Sequence, residues 1–117
     1  MPGFISREGQ PVGPFGVMGG YMQPQGHLQV AGELLDNQAN PQDALDRPRW
    51  QWTGGRHVLV EEDMPAEIAA ELALRGHEIE TVGDPAPFGR GQVIVRGSDG
   101  VLWGGTEKRC DGAVSVC

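Results

Sequence analysis

The sequence predicts an α+β fold, a mostly antiparallel sheet covered by two or three helices. Three observations predict it. The apolar residues fall into short segments bounded by glycine and proline, as strands and tight turns require. The segments read in the order strand, strand, helix, helix, strand, helix, then four strands. That crowding of strands towards the C-terminal end argues against the regular alternation of a doubly wound parallel sheet. At 117 residues there is room for one modest core, so residues 1–117 are read as a single domain.

The first unit is a hairpin. "GFIS" is a short apolar strand, "REGQ" carries a turn glycine, and "PVGPFGVM" resumes the apolar run until Gly19 and Gly20 end it. A helix is predicted from Met22 to about Asp36. Gln23 is a candidate cap, and Pro24 suits a first turn in which a missing N–H costs nothing. Leu28, Ala31, Leu34 and Leu35 fall at helical spacing and make one apolar face. Gly26 and Gly32 each weaken the helix by about 1 kcal/mol relative to alanine, which points to close packing against a sheet. "NPQDALDRPRW" gives a second, short helix: Asn40 is a good N-cap, Pro41 fits the first position and Pro48 stops it.

"RHVLVEE" reads as a strand from Arg56 to Glu61. "MPAEIAAELALRGHEIETV" follows as the clearest unit in the chain. Pro65 opens a helix, Ile68, Leu72 and Ala73 make its buried stripe, and Gly76 closes it as a C′ glycine. The strand Glu78 to Val82 then alternates polar and apolar residues. "GDPAPFGRG" is a loop. "QVIVRGSDGVLWGG" is a hairpin, with strands Gln92 to Arg96 and Val101 to Gly104 around a Ser98–Asp99–Gly100 turn. The tail "DGAVSV" is the expected last strand.

Composition bounds the function. Glycine (19) and proline (9) together make about a quarter of the chain, while aromatics are only 6%. Such a balance suits a piece of a larger fold or a domain rich in tight turns. The net charge is −7, and the nine basic residues are scattered, so nucleic-acid binding is not expected. No apolar run approaches the ~20 residues that span a bilayer, and no membrane partner is expected. "MPGFISREGQ" lacks the basic and apolar regions of a signal peptide, which leaves the compartment open. Cys110 and Cys117 form neither a metal pair nor a CxxC motif; free thiols or small buried residues is the plain reading.

The chemistry centres on "GVMGGYMQPQGH". A strand that ends in Gly-Gly and runs into a helix leaves backbone N–H groups unpaired beside the positive end of the helix dipole. Such a place favours a carboxylate, a phosphate or a developing oxyanion, although a turn that merely needs positive φ would use the same residues. It is neither a GxGxxG motif nor a phosphate-binding loop with lysine. His27 reads as a packing or hydrogen-bonding histidine. His27, His57 and His77 lack zinc spacing, so neither metal nor cofactor is expected. Glu61, Glu62 and Asp63 read as a solvated loop, and Trp50 and Trp52 as core or edge packing. Ser6, Ser98, Ser115, Thr53, Thr81 and Thr106 lack the sequence setting of an activated nucleophile, and there is no GxSxG elbow.

"FGVMGGYMQPQGHLQV", followed by "NPQDALDRPRW", "VLVEE", "LRGHEIE", "FGRGQVIVRGSDGVLWGG" and "KRCDGAVSV", resembles the γ-glutamyltransferase (γ-glutamyltranspeptidase) family of N-terminal-nucleophile hydrolases. The resemblance covers nearly the whole chain with several motifs in the same order. The family's DPR-x-DG-like ending appears as "EKRCDGA", which keeps Arg109, Asp111, Gly112 and Ala113 but lacks the proline.

The resemblance implies part of a four-layered αββα sandwich. It also implies a precursor that cleaves itself into large and small subunits, the new N-terminal threonine being the nucleophile. Attack on a γ-glutamyl amide gives an acyl-enzyme, which water or an amine acceptor resolves. Gly19 and Gly20 match the family's oxyanion-hole pair, where losing one donor costs about 3–4 kcal/mol of transition-state stabilisation. By the same resemblance these residues are the C-terminal segment of the small subunit. The nucleophile and the groups that hold the glutamyl substrate are then upstream, and the isolated chain is expected to be inactive. Its expected partners are the rest of the parent enzyme and, through exposed sheet faces, further copies of itself. The "MQPQGH" variant points to a divergent branch, where acylases and amidohydrolases act on other amides. The alternative is a non-enzymatic, stand-alone module binding a protein partner or small anion at Gly19–Gly20.

Overall fold

The computed structural model describes residues 2–116. In chain order the elements are β1 (Gly3–Arg7), β2 (Gln10–Met18), a 3-10 turn (Gly20–Met22), α1 (Gln23–Leu35), α2 (Pro41–Asp46), β3 (Trp50–Gly54), β4 (His57–Glu61), α3 (Ala66–Leu74), β5 (Glu78–Val82), a second 3-10 turn (Ala86–Phe88), β6 (Arg90–Arg96) and β7 (Leu102–Thr106). Two compact units result. One runs to Arg47 and resumes at Gly89; the other is Pro48–Phe88. Four of the five strand pairings are antiparallel, as the α+β expectation requires. Among the described residues no helix is long and apolar enough to cross a membrane.

In the first unit the sheet order is β1-β2-β6-β7, antiparallel throughout. Glu8 and Gly9 join β1 to β2 with φ of 52° and 77°. Positive φ at both turn residues matches the twist of the flanking strands. Val17, Val30, Leu45 and Val93 form the core, with Phe15, Leu34 and Val95 packed against it.

α1 meets the sheet on a different line from the predicted one. Gly26 and Val30 are its buried residues, whereas Leu28 is 66% exposed. A Cβ on Gly26 would lie 2.7 Å from Val17 Cγ1. The helix approaches closer than any side chain permits, and the rotation that achieves this turns the line 26–30–34 inward. Gln23 is the first residue of α1 and not its cap. Met22 holds the cap position without a side-chain hydrogen bond.

α2 follows its sequence signals. Asn40 Oδ1 accepts the Asp43 N–H at 2.9 Å, and Pro41 opens the helix. At its other end Arg109 donates through Nη1 to Leu45 O (2.8 Å) and through Nη2 to Arg47 O (2.9 Å). Lys108 Nζ donates to Asp46 O at 2.7 Å. These cations satisfy carbonyls that a helix end leaves unpaired. Glu107 Oε1 pairs with Arg109 Nη1 at 2.6 Å, while its Oε2 accepts the Gly91 N–H at 2.7 Å. Both side chains are buried.

The expected strand over 111–116 is absent; these residues join no ladder. The tail packs by its side chains instead. A Cβ on Gly104 would lie 2.8 Å from Val114 Cγ1, so the tail lies on the face of β7 and not along its edge. Cys110 is a free, half-buried thiol, and Cys117 lies outside the described residues.

The second unit has the order β3-β4-β5. β3 is a strand that the sequence reading took for simple aromatic packing. Its Trp-Gln-Trp-Thr alternation followed by a Gly-Gly turn is a hairpin pattern, and β3 pairs antiparallel with β4. α3 then crosses over and returns β5 parallel to β4. Its end fulfils the glycine signal: Gly76 has φ 97°, Gly76 N donates to Ala73 O and His77 N to Leu72 O, the Schellman arrangement. The predicted buried stripe does not form. α3 has no fully buried residue, and Ile68 is 46% exposed. α3 packs chiefly against β5.

Glu61, expected in a solvated run, is buried at the end of β4. Its Oε2 accepts the Arg49 N–H at 2.6 Å, and its own N–H donates to Arg49 O at 3.0 Å. Arg49 Nη1 donates to Phe88 O at 3.0 Å.

Candidate active site

β2 ends at Met18, which pairs with Arg90 of β6. The next two residues leave the ladder in conformations that L side chains rarely adopt. Gly19 has φ 154° and ψ 29°, and Gly20 has φ 59°. A Cβ on Gly19 would come within 3.0 Å of Gly89 Cα; at Gly20 the space is open to 4 Å. The turn is held from the other side. Met22 N donates to Gly19 O at 3.0 Å, Gln23 N donates to Gly20 O, and Met22 is fully buried. Tyr21 between them is 94% exposed.

Among the described residues, no acceptor is found for the N–H of Gly19 or of Gly20. α1 begins three residues later with neither a side-chain cap nor an acidic residue in its first turn. Its partial positive charge therefore meets no compensating carboxylate there. Donors on fixed backbone beside a helix start can bind an anion without reorganising.

Beside this turn the outward face of the four-stranded sheet carries an open groove of about 500 Å³, whose walls include Pro14, Gly16, Met18, Gln92, Ile94 and Gly104. Its lining is predominantly apolar. Phe4, Met18, Ile94 and Leu102 of this sheet are all large exposed apolar residues.

The His27 ring packs on Phe15 with centroids 5.1 Å apart, and its Nε2 is buried with no partner among the described residues. That is a packing histidine. Thr106 Oγ1 accepts from Gln92 Nε2 at 3.0 Å. Among the described residues no three His, Cys, Asp or Glu side chains are grouped to hold a metal. One association was missed by the sequence reading: Thr53 Oγ1 lies 2.7 Å from His57 Nδ1, and His57 Nε2 lies 3.0 Å from Glu80 Oε2. The available signal was the spacing Thr-Gly-Gly-Arg-His, which places a hydroxyl and an imidazole on either side of a tight turn.

The family model described as Gamma-glutamyltranspeptidase matches residues 1–117. The chain belongs to that family. Among solved structures it is similar to the cephalosporin acylase from Bacillus halodurans: 57% identical, TM-score 0.94, over 97% of this chain and 22% of that one. It is similar to the "glutathione hydrolase-like YwrD proenzyme" of Bacillus subtilis (strain 168), at 34% identity over 97% of this chain and 23% of that protein. The γ-glutamyltranspeptidase from Pseudomonas nitroreducens shares the fold at TM-score 0.85 and 20% identity, over the whole of this chain and 61% of that one.

These likenesses bear out the fold expectation: the chain folds as part of an N-terminal-nucleophile hydrolase of the γ-glutamyltranspeptidase type. The family relatives include acylases and hydrolases. The chain spans about a fifth of the length of the acylase and YwrD relatives, and so corresponds to one portion of them.

Proposed function

We propose that these 117 residues are the C-terminal segment of the small subunit of a γ-glutamyltransferase-like amidase, in which Gly19 and Gly20 donate to the tetrahedral oxyanion. The observation that carries this reading is the turn itself. Two consecutive glycines leave the ladder at the end of a core strand. Their N–H groups have no acceptor among the described residues, and the space around Gly20 is open. A tetrahedral oxyanion is the charge such donors stabilise, because they act most strongly where charge develops on the way to the transition state.

In this reading a threonine at the start of the subunit, upstream of these residues, attacks the amide carbonyl. The acyl group passes to that oxygen, the amine leaves, and water or a second amine takes the acyl group. The substrate class is an amide with a carboxylic acyl group. Relatives named for cephalosporin acylase and glutathione hydrolase-like activity support amide cleavage as the common chemistry.

The partner surface in this proposal is the outward face of the four-stranded sheet. Exposed Phe4, Met18, Ile94 and Leu102 support its covering by the rest of the enzyme. Without that covering, copies of the chain associate through the same face; a monomer in light scattering at high micromolar concentration would overturn this part.

The test is hydrolysis of a chromogenic γ-glutamyl anilide and of a simple acyl anilide. The chain is assayed alone and after mixing with the upstream polypeptide. Silence alone with turnover on mixing is expected. Turnover by the 117 residues alone would place the nucleophile among them and overturn the reading. Silence of a folded mixture with both anilides would also overturn it.

A further inference from the structure

We propose that Thr53, His57 and Glu80 form a second acyl-transfer site, one that takes small activated esters. The inference rests on the second unit alone and does not depend on the role of Gly19 and Gly20.

Three strands each contribute one member. Thr53 lies near the end of β3, His57 opens β4 and Glu80 sits in the middle of β5. The irregularity between Trp52 and Gly54 offsets the β3–β4 register beside Thr53. Parallel pairing sets Glu80 opposite Leu59, on the same face as His57 two residues earlier. The result is a hydroxyl, an imidazole and a carboxylate in line, at 2.7 Å and 3.0 Å. Nucleophile, base and orienting group need this order.

In the neutral imidazole the acceptor-only carboxylate of Glu80 takes the Nε2–H, which leaves the Nδ1 lone pair facing the Thr53 O–H; this is the form that can act as base. The competing acceptor for that hydroxyl, His57 O, is 3.4 Å away and too long to rival it. Glu78, directly opposite His57 in the register, is engaged by Arg56 at 3.0 Å. Glu80 is therefore the carboxylate on the imidazole.

Access is open. Thr53 is exposed, and nothing lies within 4 Å of where a Cβ on Gly54 or Gly55 would stand. Trp52, 53% exposed and tied by Nε1–H to Gly55 O at 3.0 Å, offers a flat apolar surface next to the turn. The step is balanced. Thr53 Oγ bonds to the ester carbonyl carbon as its proton moves to His57 Nδ1. The bond from that carbon to the leaving oxygen breaks, and the leaving group takes the proton. Water, activated by the same base, then returns the hydroxyl and a carboxylic acid. The site is wet, without the fixed dipoles of an enclosed cavity, so only esters with good leaving groups react at a useful rate.

The experiment is incubation of the 117-residue chain with p-nitrophenyl acetate, with acetylated residues located by peptide mass spectrometry. A positioned base is worth roughly 10²–10⁴, so Thr53 should be acetylated at least ~100-fold faster than exposed Thr81. Thr53→Ser retains the preference and His57→Gln abolishes it. Glu80→Gln lowers it and Glu80→Asp restores it, which separates orientation of the imidazole from mere support of the strand. The proposal is overturned if Thr53 reacts no faster than Thr81 or reacts undiminished in His57→Gln. It is also overturned if nitrophenol release survives unchanged in Thr53→Val.

Discussion

α1 and α3 are both amphipathic helices beside a sheet, yet they are held in different ways. α1 presses Gly26 against Val17 and buries Val30 in a core shared with Leu45 and Val93. α3 has no fully buried residue, and Leu74 is 84% exposed. The first unit also carries a buried Glu107–Arg109 pair that fastens β6, β7 and the end of α2. Apolar spacing alone does not say how deeply a helix is buried; the room for close approach at a residue such as Gly26 does.

The largest break in this contrast should come from Glu107→Ala. It strands the Arg109 guanidinium in a buried setting and removes the acceptor of Gly91 N–H, at a cost of about 3–5 kcal/mol. Urea denaturation measures it, and a loss under 1 kcal/mol would show that the pair does not fasten the unit. Gly26→Val should follow, with about 1–3 kcal/mol lost to overpacking against Val17. The matched change Ala70→Val on the exposed side of α3 should cost well under half as much. Equal costs would erase the distinction between the helices.

Asn40→Ala should cost about 1 kcal/mol by removing the cap of α2; a thermal midpoint reports it. The smallest effect belongs to Leu74→Glu, within about 0.5 kcal/mol, because the side chain it replaces is already in water. In hydrogen exchange, the amides of α3 should open before those of α1. Earlier exchange in α1 would reverse the comparison.

Local chemistry made much of this fold legible. Asn40 and Pro41 mark the start of α2, Gly76 marks the end of α3, and the alternation of Glu78 to Val82 is a strand as read. The features that escaped depend on long-range packing. Gly26 points to close packing against a sheet, as found at Val17, but the apolar face headed by Leu28 names a different line of the helix, and only the packing shows that the glycine line is the one that meets the sheet. Val114 and its neighbours have strand-forming composition but find a sheet face already formed. Glu61 sits beside two acidic neighbours in sequence, yet its carboxylate is turned to the Arg49 N–H.

The candidate sites divide in the same way. Gly19–Gly20 is contiguous and could be read directly. Glu80 meets His57 only through a parallel crossover, whose register no local pattern of residues records.

Gln42 carries a consequence for assembly. Its Nε2 donates to Thr106 O at 2.9 Å, and its Oε1 accepts the Thr106 N–H at 3.1 Å. A side-chain amide thus occupies both backbone groups that an incoming strand would need at the end of β7, the edge of its sheet. It works as a molecular stopper: polymerisation by strand addition at that position must first evict it. Open-ended growth of the sheet through the β7 edge is disfavoured at this position for the same reason.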